Sequence, residues 1–198
     1  ALEARLLIYD DSATLLTARL LTIPGKGLVI NRVSELLTPA GIPPEASLAS
    51  GYITVEVFTE ESSLIGAAVF TSTLGKARSI LPFWRQPQNE TLYLQVAQSS
   101  EDGVFTGLAI MNPNDQTVSV TVEVFDQNGR VTGRKNLFID AGRRVVDLLD
   151  GVHFFGPSFR QMKGYMRVTG DRPIVSFAMF GDGQTQFLSA VEGQPALQ

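Results

Sequence analysis

The chain has 198 residues, 44% of them hydrophobic and 18% charged, with 18 Gly, 10 Pro, no Cys and a formal net charge of −4. This is a globular, turn-rich composition, and it speaks against disorder, a basic nucleic-acid surface, disulfides and thiolate metal sites. No apolar run reaches the ~18 residues that a membrane-spanning helix needs, and the length suits one large or two small domains with a real core.

The chain opens at Ala1 without a charged and apolar leader, the pattern of a processed chain or of an excerpt from a longer one. Period-2 alternation then predicts strands at roughly 2–9, 15–23 and 27–31, broken by Pro24-Gly25. Residues 33–37 have room for about one helical turn, too little to stand alone. Further strands are predicted at 51–58, 63–71 and 76–82, then at 91–97, 104–111, 117–125, 130–139 and 143–147, and finally at 163–169, 173–180 and 185–191. In 118–124 the valines at 118, 120, 122 and 124 share one face while Ser119, Thr121 and Glu123 share the other, the mark of a half-buried antiparallel strand. Asn128-Gly129 supplies the φ > 0 residues of the hairpin turn that follows.

The chain repeats itself. Leu2, Ala4, Leu6, Ile8, Tyr9 and Asp10 lie at a constant offset of 116 (118 − 2) from Val118, Val120, Val122, Val124, Phe125 and Asp126. The same offset carries Leu21 onto Leu137, Ile23 onto Ile139 and 29–31 onto 145–147, with Ser12-Ala13 replacing Asn128-Gly129. Gly51-Tyr52 then matches Gly164-Tyr165 at offset 113 (164 − 51), and Phe70 matches Phe180 at offset 110 (180 − 70). Ordered blocks of this kind predict an all-β chain of two tandem Ig-like antiparallel sandwiches, residues 1–86 and 87–198, with the junction near 82–89.

The second copy carries two extra strands at its start, in 91–98 and 104–112, for which the first has no match. A sandwich lacking two strands exposes an apolar groove and an open edge. The filler is residues ahead of Ala1, another segment of this chain such as 194–198 or 85–104, or a strand donated by a second subunit.

Residues 92–131, with "IDAGRRVVDLLD" and "GYMRVTGDRPIVSFAMFG", resemble a β-sandwich repeat of large secreted or surface-attached bacterial proteins. In that pattern a strand ends in Asn-Pro, a Val/Thr strand and a D-x-x-G turn follow, and a G-x-x-x-V…P-I hairpin closes the unit. The resemblance implies an extracellular address and an architectural role, without implying chemistry.

Catalytic constellations are missing. His153 is the single histidine, too few for a Ser-His-acid triad or a multi-histidine metal site, and no nucleophile elbow or phosphate-binding loop occurs. Acidic and amide residues recur in turns, at Asp10-Asp11, Asp126, Asn128, Asn114-Asp115 and Asp182, where hairpin chemistry accounts for them better than Ca²⁺ does. No catalytic, metal or cofactor residue is therefore assigned. The candidates for partner or glycan contact are Trp84, Tyr93, Phe154 and Phe155, with a plug at the module junction as the competing role for Trp84. The expectation is a non-enzymatic extracellular structural module with a protein partner, including further copies of itself. The alternative is a glycan-binding accessory module; neither nucleic acid nor membrane insertion is expected.

Overall fold

A computed structural model of the protein describes residues 1–37, 51–58, 64–71, 77–83, 86–184 and 186–195. The fold is all-β, with one five-residue helix among the described residues. The chain divides into two compact units, Ala1–Leu64 and Ile65–Gln198.

The first unit contains β1 (Leu2–Asp10), β2 (Leu15–Ile23), α1 (Val33–Leu37) and β3 (Gly51–Val57). They form an antiparallel sheet of order β2-β1-β3 with the most buried strand, β1, in the middle. Leu6 and Ile8 of β1 pack with Leu36 and Leu37, and Leu16, Leu21 and Ile53 close the cluster. Helix α1 is far too short to persist by propensity, so the burial of Leu36 and Leu37 is what holds it.

The second unit comprises β4 (Ala67–Thr71), β5 (Arg78–Pro82), β6 (Gln88–Tyr93), β7 (Val104–Met111), β8 (Val118–Phe125) and β9 (Val131–Ile139). It continues with β10 (Arg144–Leu148), β11 (Tyr165–Asp182), β12 (Leu188–Glu192) and β13 (Gln194–Pro195). The 18-residue β11 organises it. Its first part lies between β8 and β6, which carry β9 and β13 outward, and its second part lies between β7 and β12, with β10 beyond β7. The two sets of strands enclose one sandwich-like core. Val118, Val120, Val122 and Val124 meet Leu108, Ile110, Met166, Val168, Ile174, Ala178 and Phe180 there. A one-residue slip of β8 would expose all four valines, at about 1.5 kcal/mol each, so the alternation itself sets the register.

Two sequence expectations are corrected. Residues 163–169 and 173–180 are not a hairpin but one continuous strand, because 171–173 stay exposed while the ladder with β6 shifts register between Thr169 and Ile174. Residues 27–31 are not a strand. The compact units divide at Leu64/Ile65, which places the β4–β5 hairpin with the second unit, where it packs on β12: the Ala190 N–H donates to Ser79 Oγ at 2.5 Å, and Phe70 meets Phe177 at 6.1 Å.

Candidate functional site

The matched regions share geometry as well as pattern. In β1–β2, Asp10 Oδ1 accepts from the N–H groups of Ser12 (2.8 Å) and Thr14 (2.9 Å). In β8–β9, Asp126 Oδ1 accepts from Asn128 (2.8 Å) and Arg130 (2.9 Å), the same positions at offset 116. A ladder irregularity follows Ile8 in one hairpin and Val124 in the other. Tyr9 stacks on Tyr52 at 4.9 Å, and Phe125 stacks on Tyr165 at 4.6 Å. Gly51 and Gly164 precede the second ring of each pair, and a Cβ on either would run into the carbonyl oxygen of Tyr9 or Phe125. The hairpins β4–β5 and β11–β12 correspond too. Ala67↔Pro82 and Phe177↔Glu192 are equivalent pairs at offset 110, a match that sequence alone showed at Leu64-Ile65 and Phe70.

One stretch breaks the correspondence. β10 is zipped to β7 over five residue pairs, from Arg144↔Met111 to Leu148↔Gly107, and Val145 packs on the core. Its counterpart, 28–32, holds no strand and is exposed throughout, with Leu28 at 79% and Ile30 at 81%. The sequence is as strand-like as β10. Among the described residues of the first unit only β1, β2 and β3 form ladders, and none of them stands in the place of β7. Leu28-Val29-Ile30 are three consecutive exposed aliphatic residues, an interaction-prone feature among the described residues of that unit.

The contact residues anticipated from sequence are dispersed. Trp84 lies outside the described residues. Tyr93 is a core residue, 1% exposed, whose hydroxyl donates to Ser176 Oγ at 2.8 Å; burial pushes its phenol well above the usual tyrosine range. Phe154 is likewise buried in the core, so neither ring is presented to a ligand. Phe155 packs on Phe159 at 4.5 Å, lies against Gly133 and is partly buried against the core. His153 is exposed in the loop after β10, its backbone N–H held by Asp147 Oδ2 at 3.1 Å. The turn carboxylates of Asp10 and Asp126 are occupied by backbone amides. Among the described residues no three His, Asp or Glu side chains converge on a metal position.

Sequence reading missed an ionic cluster on β8. Glu123 sits on the face expected to be wet, yet its side chain is only 9% exposed. Arg167 holds it through Nη2 (2.5 Å) and Nε (3.1 Å), Arg134 adds a contact at 3.5 Å, and the Arg167 guanidinium lies 5.3 Å from the centre of the Phe125 ring. The signal that could have found it is the cross-strand register, which sets Glu123 opposite both Arg134 and Arg167. An open cleft of about 420 Å³ runs between the 126–128 turn and 160–163. Its lining includes one carboxylate, Asp126, already taken by turn amides, together with Arg160 and Lys163, and no histidine. That set can hold a hydrogen-bonding surface but not a general acid–base pair.

No protein-family model matches the sequence, and no curated protein is similar to it. Among solved structures the chain is similar to Thermotoga maritima 1070, at 14% identity over 56% of this chain and 96% of that one, with a TM-score of 0.44. It is also similar to the Anabaena sensory rhodopsin transducer, at 14% identity over 46% of this chain and 92% of that one, with a TM-score of 0.37.

Proposed function

We propose that the chain is a non-enzymatic structural and assembly module of an extracellular or cell-surface protein, a stalk, sheath or filament component. In this reading its first β-sandwich copy is completed by a strand from another segment or subunit. The observation that carries it is the contrast between β10, fully zipped to β7, and the equally strand-like 28–32, which stands exposed. An apolar edge of this kind is a template for strand addition, and natural folds cover such edges when they do not use them. The glycan-binding alternative has lost two of its anchors, since Tyr93 and Phe154 are core residues.

Hydrogen exchange tests the reading. The amides of 28–31 should exchange fast in the purified chain and slowly in the assembly recovered from the cell surface. Equally fast exchange in both, or a protein not found at the surface, would overturn it.

A further inference from the structure

The corner between β9 and β10 shows what a completed edge requires. The Arg143 N–H donates to the Asp140 carbonyl at 3.0 Å, and Gly142 turns the chain with φ 68°. The fully buried Asn112, at the end of β7, docks there. Its N–H donates to the Arg143 carbonyl (3.0 Å), its carbonyl accepts from the Gly142 N–H (3.1 Å), and its Nδ2 donates to the Ile139 and Gln116 carbonyls (2.8 Å each). β7 then runs back from that anchor along β10.

The same corner exists in the first unit at offset 116. The Gly27 N–H donates to the Pro24 carbonyl at 2.8 Å, and Lys26 adopts φ 59° where the second unit has Gly142. A lysine enters that left-handed region only against a steric cost that glycine escapes, so the corner keeps its shape without the residue best suited to it. The groups that would receive an asparagine, the Lys26 N–H and the Gly27 carbonyl, make no hydrogen bond to a described residue. Beyond them lies the exposed 28–32.

We infer that residues 23–32 are a receptor for one extended strand of β7's chemistry, ending in an asparagine and supplied by another polypeptide. The corner is preshaped, and 28–32 becomes a strand when the ligand zips onto it. This inference rests on the strand-completion reading above and names its acceptor and ligand. Asparagine is required because its short side chain offers both an N–H₂ donor and a carbonyl acceptor; Asn112 Oδ1 also accepts from the Asn114 N–H at 2.9 Å. Apolar residues at alternate positions are required by the exposed Leu28, Val29 and Ile30. The β7 strand of a second copy is not the donor. Releasing it would strip β10 and β11 of a ladder and expose Leu108 and Ile110, both buried in the core.

The probe is a labelled peptide of the sequence of residues 103–114, titrated into the full chain by fluorescence anisotropy with hydrogen exchange read in parallel. Saturable binding with new protection at 27–32 is expected. An Asn112→Ala peptide should bind about tenfold more weakly, and Ile30→Asp in the protein, a fully solvated change, should weaken the parent peptide by about tenfold or more. The inference is overturned by absence of binding, by binding indifferent to both substitutions, or by protection changes confined to β7, β10 and β11. Light scattering showing that a second copy takes the place without peptide overturns it too. Slow exchange of 28–31 in the native assembly together with a peptide that does not bind removes this inference alone and leaves the strand-completion reading intact.

Discussion

The hairpins β1–β2 and β8–β9 share an Asp-led turn, a ladder irregularity and an aromatic stack, yet the chain beyond them behaves differently. After β9 it turns a corner and forms β10; after β2 it turns the same corner and stays exposed over 28–32. Local sequence is nearly matched, with Val145-Val146 set against Val29-Ile30. The difference lies in what stands beside the strand. A β-strand is a property of a pair, and its backbone groups choose water when no ladder is offered.

The largest effect should come from breaking the anchor that one region has and the other lacks. Asn112→Ala leaves the Gln116 and Ile139 carbonyls without their donor inside the protein, at about 3 kcal/mol for one part-buried and one buried bond. Hydrogen exchange should show β7 and β10 opening, while β1–β3 keep their protection. If β10 stays closed, the comparison with 28–32 loses its physical basis.

Next in size is the ionic cluster. Glu123 corresponds to Leu7 and Arg167 to Thr54, so the first unit fills the same cross-strand site without charges. Glu123→Ala strands two arginines that are themselves partly solvated, which limits the cost to about 2 kcal/mol. The double variant Glu123→Leu/Arg167→Thr installs the first unit's pair and should recover at least half of that loss in urea titrations. A double variant no better than the single would show that the arginines, not the buried carboxylate, stabilise this face.

Much of this was legible in the sequence. The valine alternation of β8 and the Asp-led turns located both hairpins, because burial and turn geometry act over a few residues. Three features were not legible. The Gly170–Pro173 stretch reads as a turn, but β11 runs through it by changing ladder partners, a choice made by β6 and β7 far away in sequence. Residues 27–31 read as a strand because pattern reports capacity and not company. Glu123 read as solvated because its arginines come from β9 and β11, and only register brings the three together.

A smaller effect separates the two turns. Ala13 and Gly129 occupy the same position with φ 66° and 78°, and only glycine enters that region without a Cβ penalty. Gly129→Ala should destabilise the second unit by about 1 kcal/mol, and Ala13→Gly should stabilise the first by about 0.5 kcal/mol, the gain being offset by the freer unfolded chain. Thermal melts of the two variants should therefore move in opposite directions. Shifts of the same sign would mean that the two turns are not equivalent.

The smallest effect concerns the carboxylate that closes the second turn. The backbone N–H of Arg130 holds Asp126 below the usual aspartate range, and the Asn128 N–H and the Arg130 charge add to it. A carboxylate with a depressed folded-state pKa contributes stability above its unfolded pKa, near 3.9, and loses it as pH falls through the folded value. Asp126 is solvent-exposed, so water screens the contribution and keeps it small. Asparagine offers the same acceptor without a titrating proton. Asp126→Asn should flatten the acid limb of the second unit's urea midpoint between about pH 5 and pH 2 and leave the midpoint at neutral pH nearly unchanged. An acid limb as steep as the parent's would assign the loss to other carboxylates. A midpoint lowered at neutral pH that converges with the parent's in acid would mean that the turn depends on the charge of Asp126 and not only on its oxygen.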